Sequence, residues 1–378
     1  MKIADMHCDT IERLLGIRRT GYSQHEKKEA KMQEDLRGNN GHLDLLRMKK
    51  SGYLLQNFAL FVNLGTGRDP WEEVCALRQL FCEEMKKHSD LIAPVLSYQD
   101  IERNQREGKM SAMLTVEEGA VCKGELSKLH KLYEMGVRMM TLTWNYPNEI
   151  GFPNLDGRRG KEVWGLCCEI REKMESTQCE PMAGREDFRC RRKQVQAIFE
   201  DYFYKPNTTK GLTEQGFLFV NEMEKMGMII DVSHLSDAGF YDVLECTTKP
   251  FVASHSNARA MCRASRNLSD DMIRKLAERG GVMGLNYCAD FLKEVPVGER
   301  NPGNLEDMVR HAKYITDVGG IEVLGLGSDF DGIDTNEGLP GADSMYLLWE
   351  ALKNGGYTES QLDKIFSENV LRVYAEIL

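Results

Sequence analysis

Residues 213–234 read TEQGFLFVNEMEKMGMIIDVSH. Phe219, Val220, Met223 and Met226 have the i, i+1, i+4, i+7 spacing that gathers side chains on one face of a helix. Thr213 is placed to cap its start, and Gly227 can end it in the left-handed conformation at little steric cost. Met228–His234 then begins apolar on successive residues, as a strand buried on both faces does. A helix feeding directly into such a strand is half of a β/α repeat. Asp270–Arg279, closed by Gly280-Gly281 ahead of Val282, repeats the pattern.

Seven further runs extend it: Ile3–His7, Leu54–Asn63, Ala112–Glu117, Arg138–Trp144, Phe251–His255, Val282–Tyr287 and Val323–Asp329. Eight buried strands with helices between them predict parallel pairing and an α/β fold, a (β/α)8 TIM-like barrel spanning residues 1–378 as one domain. One segment departs from the repeat. From about 155 to 198 no β-rich run occurs, and seven arginines appear with Cys167, Cys168, Cys179 and Cys190. A solvated helical excursion on the fourth loop explains this better than a zinc knuckle, because the four cysteines lack paired Cys-x-x-Cys spacing.

The composition narrows the function. The chain has 378 residues, 42% hydrophobic, with 49 Lys+Arg against 59 Asp+Glu and a net charge of −10. That excess of carboxylates argues against a large phosphate-binding footprint, so no nucleic-acid partner is expected. Nowhere do about 18 uncharged apolar residues run together, so no membrane span is expected either. The first ten residues, MKIADMHCDT, lack the apolar core of an export signal. Eleven scattered cysteines read as free thiols, and together these features predict a cytoplasmic protein. The sequence leaves a homodimer open.

In such a barrel, side chains at the C-terminal strand ends meet in one mouth, where the active sites of this fold lie. The ends supply His7 and Asp9, Glu117, His234, His255, and Asp329 with Asp331. Imidazole with carboxylate is a ligand set for a borderline divalent metal such as Zn²⁺. His7-x-Asp9 has strand spacing, so both side chains leave one face. Glu117 can bridge two ions through its two oxygens, while Glu118 would point the other way. Singly, each residue has a plainer explanation, such as a surface pair or a helix cap for His234. Their coincidence at strand ends favours metal binding. His25, His42, His88, His130 and His311 sit in polar or helical contexts and read as structural or solvated.

Six short motifs, Met6-His7-Cys8-Asp9-Thr10, Val116-Glu117-Glu118-Gly119, Ile230-Asp231-Val232-Ser233-His234, Ala253-Ser254-His255-Ser256, Ser265-Arg266-Asn267-Leu268 and Gly327-Ser328-Asp329-Phe330-Asp331-Gly332, stand in the order seen in the membrane (renal) dipeptidase family of zinc peptidases, and the chain resembles that family from residue 5 to about 375. The resemblance implies a metallopeptidase that hydrolyses dipeptides, including L,D-dipeptides, with two Zn²⁺ ions. By position, His7 and Asp9 would bind one zinc, His234 and His255 the other, and Glu117 would bridge. Arg266 would hold the dipeptide's C-terminal carboxylate, which its forked guanidinium suits. A water shared by two Zn²⁺ ions is deprotonated near neutral pH and becomes the nucleophile. Asp329 is the candidate proton carrier, with Asp331 second.

Two departures from the family stand out. Where its animal members have Thr-Leu-Thr-His, this chain has Thr141-Leu142-Thr143-Trp144-Asn145. Trp144 cannot carry that histidine's charge, and Asn145 could supply a neutral oxyanion donor instead. The 155–198 segment is the second departure, read as an insertion or as a shifted reading frame in the source sequence. The alternatives to a dipeptidase are another amidohydrolase-type reaction, on a cyclic amide or an N-acyl amino acid, and a metal-binding homologue with impaired catalysis.

Overall fold

The computed structural model describes residues 1–20, 35–176 and 184–378, without the side chains of residues 20, 176, 184 and 185. Eight strands form a closed parallel barrel: β1 (Ile3–Asp5), β2 (Tyr53–Phe61), β4 (Met110–Glu117), β5 (Val137–Thr141), β6 (Ile229–Asp231), β7 (Val252–Ala253), β8 (Val282–Leu285) and β9 (Leu324–Leu326). β2 pairs with β4 over seven residue pairs, from Leu55↔Ser111 to Phe61↔Glu117, and β9 meets β1 at Asp5↔Leu326. Each of the eight expected runs overlaps one of these strands, although β2, β4 and β5 begin one or two residues earlier than expected.

The sequence reading missed β3 (Ile92–Val95). It pairs with the first half of β4, from Ile92↔Met110 to Val95↔Met113, where β5 has not yet begun. Pro94 in its middle has no N–H to donate, which confines this short strand to an edge and hid it from a search for strand runs.

Helix Glu214–Met226 forms as its spacing requires, with the Thr213 hydroxyl accepting from the Gly216 N–H and Gly227 at φ +73° as its cap. The base of the barrel is closed by the C-terminal helix Asn369–Ile377. Its Val370, Val373 and Tyr374 pack among Ala4, Met6, Leu55, Met113, Met139 and Ile229. The Tyr374 hydroxyl also accepts from Asn57 Nδ2 at 2.7 Å, which gives the buried hydroxyl a partner inside that plug.

The Arg- and Cys-rich segment folds as helices Gly157–Ser176 and Gly184–Phe203. Val163, Cys167 and Ile170 recur at helical spacing, as do Val195, Phe199 and Tyr202, and the two faces share a core with Cys262, Ala264 and Val297. The Ser265 N–H donates to the Phe203 carbonyl at 2.9 Å, tying the second helix to the loop that carries Arg266. Cys179 and His25 lie outside the described residues. Cys167 is buried while Cys168 and Cys190 are exposed, and no candidate metal group among the described residues includes a cysteine.

Candidate metal centre

Strand ends bring the predicted residues together, but mostly through the turns that follow. β6 stops at Asp231 and β9 at Leu326, while His234 and Asp329 adopt φ of +68° and +61°. Left-handed backbone is costly for such side chains and persists where the surrounding fold imposes it. β1 stops at Asp5, yet extended pairing continues: the Asp9 N–H donates to the Phe330 carbonyl at 2.9 Å and the Asp329 N–H to the His7 carbonyl at 3.2 Å. His7 and Asp9 therefore keep one face. A side chain on Gly332 would collide with Asp9 Oδ2 and Asp329 Oδ1, so the loop passes this close only as glycine.

Glu117 lies at the centre. Its Oε2 is 3.3 Å from His7 Nε2, which is 3.4 Å from Asp9 Oδ2. Its Oε1 is 3.0 Å from His234 Nε2 and 3.7 Å from His255 Nε2. Two donor groups result, His7 with Asp9 and Glu117, and Glu117 with His234 and His255. A third, His7 with His255 and Asp329, brings Asp329 to the same place, its Oδ1 3.9 Å from His7 Nε2. Glu118 points away, as expected, and accepts from the Ala120 and Trp144 N–H groups.

Asn145, Ser254 and Asp231 fix how these rings face. Asn145 Oδ1 lies 2.9 Å from His234 Nδ1, and a carbonyl oxygen only accepts, so Nδ1 carries the proton. Ser254 Oγ donates to Asp231 Oδ2 at 2.6 Å and therefore accepts from His255 Nδ1 at 2.7 Å. Both rings then turn bare Nε2 lone pairs toward each other, 2.9 Å apart. Burial lowers the pKa of His234 to about 4 and holds that of His255 well below its ordinary value, so both stay neutral at pH 7. Two facing lone pairs repel, and a cation between the rings and Glu117 relieves them. His7 Nδ1 and Nε2 and Asp9 Oδ1 are likewise buried without hydrogen-bond partners. The donor set fits divalent metal.

Burial opposes charge on His7, yet Glu117 and Asp9 hold its pKa well above the ordinary value. Burial pushes Asp9 up to about 8 and raises Asp329, whose Oδ2 accepts from Asn286 Nδ2 at 3.0 Å. Arg266 is 3% exposed. It donates from Nη1 to Ser256 Oγ at 3.2 Å and from Nη2 to the His255 carbonyl at 3.0 Å, and its Nε–H has no partner. Asp331 is tied elsewhere, accepting from Thr10 Oγ1 at 2.7 Å and from the His42 N–H at 2.7 Å.

Sequence reasoning missed Asp231 and Ser254 as supports of His255. The signal was present: an aspartate ending an apolar strand run must find buried partners. Of the remaining histidines, His42 contacts Thr335 Oγ1 at 2.6 Å, His130 meets Glu222 at 3.1 Å, and His311 sits between the Ala258 N–H and the Leu292 carbonyl. His88 is buried beside Glu84 and Asp35, whose carboxylates already take Arg18 and Lys87.

A parallel barrel with imidazoles and carboxylates converging at its mouth defines a metal-dependent hydrolase of the (β/α)8 class. The family model described as membrane dipeptidase (peptidase family M19) matches residues 1–165 and 188–377, and the chain belongs to that metallopeptidase family. It is 31% identical over 309 residues, 81% of its length and 95% of the relative's, to an uncharacterized Klebsiella pneumoniae protein in the pqqA 5′ region. An uncharacterized dipeptidase of Schizosaccharomyces pombe is 27% identical over 355 residues, 89% of this chain and 72% of that protein. Among solved structures, an M19 metallopeptidase dipeptidase superposes with a TM-score of 0.76 at 23% identity, covering 100% of this chain and 98% of the other. A Rhodobacter sphaeroides metallopeptidase liganded with a phosphinate mimic of L-Ala-D-Ala also gives 0.76 at 23%, covering 100% and 99%.

Proposed function

We propose that the protein is a dipeptidase whose centre takes two Zn²⁺ ions, one held by His7, Asp9 and Glu117 and the other by Glu117, His234 and His255. The single observation that carries this is the Glu117 carboxylate, with one oxygen facing His7 and the other facing His234 and His255. Bound zinc supplies an activated water and a Lewis acid for the scissile carbonyl. The chain's own residues do the rest. Asp329 Oδ1 lies beside the donor groups and its pKa is raised by burial, which suits it to take a proton and return it to the departing amine. Arg266, with its unpartnered Nε–H, receives the substrate's C-terminal carboxylate. Asn145 orients His234 through its carbonyl oxygen, leaving only its amide N–H for an oxyanion.

L,D-dipeptides fall within the proposed range, a reading supported by the ligand of the Rhodobacter sphaeroides neighbour. The proposed unit is one barrel over residues 1–378, working as a monomer or homodimer in the cytoplasm. In support, the ten described cysteines are free thiols, the state a reducing compartment maintains, and no described helix is long and apolar enough to cross a membrane. The test is metal analysis joined to a substrate panel. Two zinc ions per chain and hydrolysis of L,L- or L,D-dipeptides are expected. Activity confined to N-acyl amino acids or cyclic amides would overturn the reading.

A further inference from the structure

The cavity over the centre holds about 570 Å³, within the roughly 300–1,000 Å³ of ligand clefts and far more than two alanine residues occupy. Its floor is polar, formed by Asp9, Glu117, His234 and Asp329. Part of its wall is aromatic. Phe61 and Trp144 meet edge to face with ring centroids 4.8 Å apart, and Trp144 stands 6.3 Å from His234. Helix Gly157–Ser176 contributes Trp164, Cys167, Cys168 and Arg171 to the same cavity.

Trp164 is the unusual member. It packs edge-on against Phe199 and Phe203, at 5.6 and 6.0 Å, yet remains 41% exposed. An indole left wet on a cavity wall is apolar surface that a ligand can cover. Beside it Arg171 stands with Asp290 and Asp334, one positive against two negative groups, so that part of the wall disfavours an anionic side chain and leaves the indole to an apolar one. Its mounting is rigid: Phe199 and Phe203 belong to the helix-pair core that also includes Cys262 and Ala264.

We propose that the Arg- and Cys-rich helix pair is a specificity wall, and that Trp164 selects dipeptides bearing a large apolar or aromatic side chain. This rests on the dipeptidase reading above. The side chain can belong to either residue of the dipeptide, and the test separates the two.

Phosphinate mimics of Leu-Ala, Ala-Leu and Ala-Ala are titrated into the metal-loaded protein. Independently, alkylation of the exposed Cys168 on the same wall is followed by peptide mass spectrometry. One leucine mimic should bind roughly 10-fold tighter than the Ala-Ala mimic and slow Cys168 alkylation. Trp164→Ala should abolish that preference while leaving metal content unchanged, and Trp164→Phe should restore it. Equal affinity for all three mimics, or a preference that survives Trp164→Ala, would overturn the proposal. Binding of none of the three by zinc-loaded protein would instead remove the dipeptidase reading beneath it.

Discussion

Asn145 and His234, 89 positions apart in the chain, are joined by one hydrogen bond of 2.9 Å between Oδ1 and Nδ1. That bond fixes the tautomer of His234 and aims Nε2 at Glu117 Oε1, 3.0 Å away. Asn145→Ala should therefore weaken metal binding about 10–100-fold, measured by competition with a chelator. Asn145→Asp keeps the acceptor and should keep the affinity. Equal affinity in the alanine variant would show that His234 needs no such support.

His234→Ala removes one of two imidazoles from its donor group. Zinc content should fall toward one ion per chain, since Glu117 and His255 alone leave that site short of donors. Elemental analysis reads this directly, and an unchanged stoichiometry would rule out the ligand set.

Arg266→Ala tests the carboxylate anchor. A charge-assisted bond of about 1.5–3 kcal/mol corresponds to a KM raised roughly 10–100-fold. The wild-type preference for a dipeptide over its C-terminal amide should vanish with it. Because Arg266 also holds the His255 carbonyl, metal content is checked in the same preparation.

His311 gives a pH prediction away from the centre. Burial lowers its pKa to about 4, and the ring accepts from the Ala258 N–H and contacts the Leu292 carbonyl. A group whose folded pKa is depressed gives stability that is present above its unfolded value of about 6.5 and lost as pH falls toward 4. The loss is on the order of 3 kcal/mol. Urea unfolding of metal-free protein at pH 7.5 and 5 should show about 2 kcal/mol of it, and His311→Gln should shrink the difference by that amount, leaving the part that the buried His234 and His255 contribute. Parallel behaviour of the two proteins would remove His311 as its source.

The barrel was legible because its signal is local. Successive apolar residues, glycine stops and helical spacing all act within a few positions, so eight strands could be located from the chain alone. The candidate metal donors were legible for the same reason: each sits at or just beyond a strand end, and the fold carries strand ends to one mouth. β3 was not, because Pro94 breaks the run that would have revealed it. Nor were the supports of the histidines, since Asp231 and Ser254, like Asn145 and His234, meet only through pairing of distant strands and their turns. The helix pair at 157–203 shows the limit most clearly. Its sequence announces an Arg- and Cys-rich departure, but only packing turns Val163, Cys167 and Ile170 inward and leaves Trp164 on the cavity wall. Local patterns set what each segment can become, whereas contacts between segments far apart in the chain decided which side chains line the cavity.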